Sequence, residues 1–135
     1  MLAGSRDVIE RCVRFRRRLG GAMRQAGVLA AAGLYALDHH IDRLADDHAN
    51  ARVIADRLAI SGKVVLDRAT VQTNILVFSL TVDAPDGPTV VGRAKDSGVL
   101  IFAFGPRMIR AVTHLDVSRE ECARAADVLL EIING

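Results

Sequence analysis

The chain has no tryptophan, one tyrosine and four phenylalanines in 135 residues. So few flat rings leave little with which to stack unpaired bases, which argues against a nucleic-acid partner. Cysteine is almost as scarce. Cys12 and Cys122 are the whole complement, and no cysteine spacing suggests a zinc site. A reduced, cytoplasmic compartment is the simplest reading. No apolar run reaches the length of about 18 residues that a spanning helix needs, so no membrane segment is expected. Arg6, Asp7, Glu10 and Arg11 break up the first residues, which excludes the apolar core of a secretory signal. Lysine occurs twice, at Lys63 and Lys95.

What is present points to a packed domain. Half of the residues are hydrophobic and a quarter are charged, a balance that suits a globular fold with a real core rather than a disordered segment. The charge is uneven. Residues 1–24 carry seven arginines against Asp7 and Glu10, a net +5, and the remainder carries −3, which gives the +2 of the whole chain. An arginine-rich segment of this kind can meet nucleic acid or a single anion. With the rings so few, a solvated helical face holding one or two phosphate-binding arginines is the better reading.

The apolar spacing predicts the elements. Val8, Cys12, Phe15 and Leu19 fall on one face of a first helix that Ser5 can cap and Gly20-Gly21 can end. A second helix is expected from about Met23 to Leu37. Arg24 is the only charge between Arg18 and Asp38, so this helix reads as buried, with one guanidinium offered to an anion at its start. A third helix would carry Ile41, Leu44, His48, Ala51, Ala55 and Leu58 on its inner side. His40 and His48 are eight apart, not the four that sets two ligands on adjacent turns, so no metal site is expected. His48 is read as an interior histidine.

Beyond Ser61-Gly62 the period changes. Lys63–Leu66 and Asn74–Leu80 read as strands, and Asp83–Pro88 as a loop leading into a short helix that Pro88 starts. Val99–Phe102 and Met108–Val112 are expected as two further strands, joined near Gly105-Pro106. Ser118 and Glu121 form a capping box for a last helix, which would bury Cys122, Ala125, Ala126, Leu129, Ile132 and Ile133. The order predicts an α+β fold of mixed α/β class, with helices on one side of a small, mainly antiparallel sheet.

Three stretches carry a family resemblance. Arg14–Gly27, with its Gly20-Gly21-Ala22-Met23-Arg24-Gln25, is one. Asp47-His48-Ala49-Asn50-Ala51 and Arg110-Ala111-Val112-Thr113-His114-Leu115-Asp116-Val117-Ser118 are the others. In order and approximate spacing they resemble the low-specificity threonine aldolases. These are pyridoxal-phosphate lyases of the beta-eliminating lyase family, with the fold of aspartate aminotransferase (fold type I). The resemblance implies that residues 1–40 are a helical segment from the end of the large cofactor domain. Residues 41–135 would then be the small C-terminal α+β domain. It also implies that Met1–Asp7 lies shortly after the family's cofactor-binding lysine. Lys63 and Lys95 are not read as replacements for that lysine.

The resemblance assigns roles as well. Arg110 would bind the substrate carboxylate, a role for which a guanidinium fork between apolar neighbours is well shaped. Arg24, and with it Arg17, would contact the cofactor phosphate, in a homo-oligomer (dimer or tetramer) whose sites are shared between subunits. Ala22 stands where the family has a third glycine. Thr113 and His114 are assigned to structure, and Arg107 ranks below Arg110 because Pro106 places it in a turn. The implied function is the C-terminal part of an enzyme that cleaves threonine and other β-hydroxy-α-amino acids to glycine and an aldehyde. No residue of this chain is assigned as catalytic, and catalysis by the chain alone is not expected. The alternative is a non-enzymatic oligomerising or anion-binding module.

Overall fold

The computed structural model describes residues 2–135. They divide into two compact units, one ending at His40 and the other spanning Ile41–Gly135.

The first unit holds two helices, α1 (Arg6–Arg18) and α2 (Gly27–His39). Ser5 is the extended N-cap residue of α1, although its side chain makes no capping bond. The end of α1 is tightly specified. Gly20 takes a left-handed φ of 75°, its N–H donates to Arg17 O, and the Gly21 N–H donates to Arg16 O at 2.8 Å. This crossed pair of bonds satisfies carbonyls that the helix would otherwise leave open. Helix α2 begins later than the expected Met23, because Arg24–Ala26 form a turn in which Gln25 has a φ of 51°. The expected burial of α2 is not found, and none of its residues is buried. Val28, Leu29, Leu34 and Tyr35 are all exposed. Apolar residues run around the whole helix rather than along one stripe, and a two-helix unit has no second layer to cover them.

The second unit is α3 (Leu44–Leu58), β1 (Val64–Val65), a 3₁₀ turn (Arg68–Thr70), β2 (Ile75–Leu80), α4 (Gly87–Asp96), β3 (Phe102–Ala103), β4 (Met108–Val112) and α5 (Arg119–Asn134). The sheet order is β1-β2-β4-β3, with every neighbouring pair antiparallel. Successive strand residues alternate faces. One face therefore sends Leu76, Phe78, Leu80, Ile109 and Ala111 into a core shared with Ile54 and Leu58 of α3, Val90 of α4, and Leu129 and Ile133 of α5. The fold is the mixed α/β sandwich that the sequence predicts.

Two elements depart from expectation. Ile41 falls in the turn before α3 and is exposed, as is Leu44, and His48 is only half-buried, whereas Asp47 and Asn50 are buried ahead of Ala51, Ile54, Ala55 and Leu58. The inner face is thus rotated toward polar residues at its N-terminal end. Those residues can be buried because each has a partner. Arg43 donates to both carboxylate oxygens of Asp47, at 2.7 and 3.1 Å, and Asn50 donates to Val117 O. The strand expected over Val99–Phe102 is replaced by the two-residue β3, which shares only Phe102 with it. The Val99 N–H instead donates to Ala94 O at 2.8 Å and closes the end of α4, with Gly98 left-handed at a φ of 79°.

Candidate functional site

Strand β4 alternates cleanly. Ile109 and Ala111 face the core, so Met108, Arg110 and Val112 face the other side, which the helices of the second unit leave uncovered. Arg110 pairs across the sheet with Val77 of β2 and with Phe102 of β3. Its neighbours on that open face are apolar: Ile75, Val77, Met108, Val112, Phe102 and Phe104 are all exposed. A cation is thus held in the middle of an apolar sheet surface. Its guanidinium carbon lies 5.0 Å from the centre of the Phe104 ring and 6.0 Å from that of Phe102. The two rings meet edge to face, with centres 5.5 Å apart and planes at 80°. The Arg110 Nε is buried and has no hydrogen-bond partner among the described residues. A buried donor left open is costly, and an arginine offering an open planar fork is matched best by a carboxylate.

Both ends of β4 are fixed by side chains. At its start, the Arg107 guanidinium donates to Thr81 O at 2.8 Å and to Ala84 O at 2.7 Å, with longer contacts to Val82 O and Pro85 O. Arg107 is therefore committed to the loop after β2. At its end, buried Thr113 donates its hydroxyl to Asp47 O at 2.7 Å and its N–H to Asn74 O at 3.0 Å. Asn74 returns a bond from its side-chain amide to Thr113 O at 2.8 Å. Asp47, Asn50 and Thr113 all lie in the stretches that carry the resemblance, and all three are buried and hydrogen-bonded within the fold. Asn74 is the member that motif reading misses. The Asp47 carboxylate beside Arg43 raises the arginine's pKa, chiefly through their hydrogen bond. His114 is exposed and pairs with Asp116 at 3.3 Å.

The other two sequence-assigned arginines lie in the first unit. Arg17 is exposed in the last turn of α1. Arg24 is exposed in the turn directly before α2, beside the left-handed Gln25. The first turn of α2 carries no acidic residue, and its N-cap, Ala26, offers no side-chain acceptor. An uncapped helix start next to an arginine is a favourable place for an anion. Neither lysine occupies a comparable setting. Lys63 donates to Asn134 O at 3.0 Å near the chain's end, and Lys95 is exposed on α4. Among the described residues, no group of His, Cys, Asp and Glu side chains could hold a metal, and no helix is long and apolar enough to cross a membrane. Cys122 is buried, and that burial pushes its thiol pKa up, away from the reactive thiolate form.

The aromatic neighbours of Arg110 also escape motif reading. The signal for them was present. Phe102 and Phe104 alternate in Ile101-Phe102-Ala103-Phe104, and the Gly105-Pro106 turn folds that segment back onto β4.

The sequence profile of the family described as "Beta-eliminating lyase" matches residues 1–81. The chain is 42% identical over 126 residues to the low specificity L-threonine aldolase of Escherichia coli (strain K12), covering 93% of this chain and 36% of that protein. It is 36% identical over 119 residues to the probable low-specificity L-threonine aldolase 2 of Arabidopsis thaliana, covering 87% of this chain and 34% of that protein. It therefore spans about a third of the length of these relatives. Among solved structures, "The structure of MppP soaked with the product 2-ketoarginine" matches with a TM-score of 0.59 at 18% identity, over 74% of this chain and 30% of that one. That likeness concerns the fold alone.

Proposed function

The chain belongs to the beta-eliminating lyase family, and from that premise we propose that it is the substrate-carboxylate-binding part of a pyridoxal-phosphate-dependent aldolase. The whole enzyme would cleave threonine and related β-hydroxy-α-amino acids to glycine and an aldehyde. Two relatives named as low-specificity threonine aldolases support the substrate class. The observation that carries the reading is Arg110, with its unpartnered Nε on an apolar sheet face. In this reading residues 1–40 belong to the large cofactor domain and residues 41–135 form the small domain.

The donor set fits the cofactor at its phosphate and the substrate at its carboxylate. Arg24, at the uncapped start of α2, and Arg17 would contact the phosphate. The cofactor supplies an electron sink that stabilises negative charge at the substrate's Cα when a bond there breaks. The chain's own contribution is positional. Arg110 would hold the carboxylate through two parallel hydrogen bonds, which restricts rotation about the bond to Cα and so selects which Cα bond is aligned for cleavage. Once that face is covered in the assembled enzyme, the apolar residues around Arg110 would exclude water and strengthen that pairing. Arg107 and the Thr113–Asn74 pair keep β4 in place, and neither is free to bind substrate. The cofactor-binding lysine would come from outside these 135 residues. The assembled enzyme would be a homo-oligomer acting in the cytoplasm.

Complementation tests this reading. The chain is mixed with the N-terminal two-thirds of the Escherichia coli relative, and glycine release from threonine is followed. Release is expected from the mixture and from neither part alone. Two parts that fold and associate but release no glycine would contradict the reading and favour a non-enzymatic, anion-binding module.

A further inference from the structure

We propose that Phe104, with Phe102, is a positioning residue that aims the Arg110 guanidinium at its carboxylate. This rests on the carboxylate role given to Arg110 above. A guanidinium on an open sheet face has four rotatable side-chain bonds and could sweep a wide arc. Here its Nε has no hydrogen-bond partner among the described residues. Its carbon lies 5.0 Å from the Phe104 ring centre and 6.0 Å from that of Phe102. Those distances are within the reach of an attraction between a cation and a ring face. The ring carries no acceptor, so it orients the guanidinium without consuming any of its N–H groups, and the terminal ones stay free for a ligand. An acidic residue in the same place would orient the arginine equally well, but it would also occupy it.

The aromatic side is itself held in place. Phe104 donates its N–H to Met108 O at 2.8 Å, and Phe102 pairs with Arg110 in the ladder. The turn between Phe104 and β4 packs against the start of α4, where the Gly87 N–H donates to Pro106 O at 2.7 Å. A Cβ at Gly87 would stand 2.8 Å from Gly105 O, so only glycine permits this approach. Arg107 ties the preceding loop to the same strand. The Phe104 ring thus sits on a braced turn rather than a loose one.

The test uses the 135-residue chain and its arginine Nε–H signals in ¹⁵N NMR, with glycine as the titrant. In the wild type, the Arg110 Nε–H is expected to be displaced by the ring currents of the phenylalanines and to move on adding glycine. Phe104→Leu should reduce the displacement to the smaller part that Phe102 contributes and weaken glycine binding about two- to fivefold, the range of an exposed cation–ring contact. Phe104→Tyr should restore both. Amide spectra of the variants report folding separately. Glycine binding as tight in a folded Phe104→Leu chain as in the wild type would overturn the positioning role while leaving Arg110 in place. Glycine binding that survives Arg110→Ala would overturn the carboxylate reading itself.

Discussion

Arg107 and Arg110 stand three residues apart, yet their guanidinium groups meet opposite surroundings. Arg107 donates to the carbonyls of Thr81 and Ala84, whereas Arg110 lies against two rings with its Nε unpartnered. The two should separate in mutagenesis. Arg107→Ala leaves several carbonyls without a charged donor and is expected to cost about 2 kcal/mol in a urea melt. Arg110→Ala is expected to leave the same melt nearly unchanged, because no hydrogen bond is lost. Gly87→Ala, whose new Cβ would press on Gly105 O, should destabilise by about 1–3 kcal/mol. The sequence marked Arg110 through its apolar flanks and its motif. It could not mark the partners of Arg107, because their carbonyls lie more than twenty residues earlier and any residue type could have supplied them.

At the scale of elements, local chemistry was legible and long-range pairing was not. Ser118 and Glu121 form the full capping box of α5, with bonds of 2.8 and 3.2 Å. Met108–Val112 is the strand that the sequence predicts, with the same bounds. The errors fall where a distant partner decides. The inner face of α3 turns toward Asp47 and Asn50 because Arg43, Thr113 and Val117 satisfy them. Arg43 stands at the ordinary i,i+4 spacing, but Thr113 and Val117 lie more than sixty residues on, and no spacing rule foresees them. Ser118→Ala should cost about 1 kcal/mol. Acid should act on the same cap. The backbone N–H of Ser118 holds the Glu121 carboxyl below its ordinary pKa, and Thr89 does the same for Asp86 at the start of α4. A carboxyl lowered by folding contributes stability above its unfolded pKa and loses it as pH falls through its folded value. Thermal melts should therefore drop on acidification below the usual carboxylate range. Glu121→Gln, which has no charge to lose, should drop less steeply.

At the scale of the whole molecule, the second unit has a shared core and the first does not. Helix α2 presents Val28, Leu29, Leu34 and Tyr35 to solvent, a surface that favours association. Sedimentation of the chain alone is expected to show concentration-dependent self-association, and Leu29→Glu with Leu34→Glu should reduce it. Concentration-independent monomers would contradict this. The sequence showed that α2 is apolar, but apolar character alone does not name the surface that covers a helix. The same holds for the open sheet face around Arg110, where the motif and the apolar flanks marked the arginine but not the face. The most direct test of the central claim is threonine cleavage by the complemented enzyme carrying Arg110→Ala. Losing one partner of a desolvated charge pair costs roughly 2 kcal/mol or more, so kcat/KM should fall at least about thirtyfold. Arg110→Lys should recover only part of it, since a lysine cannot form the two-pronged pair. An unchanged kcat/KM in Arg110→Ala would contradict the assignment of the substrate carboxylate to this strand.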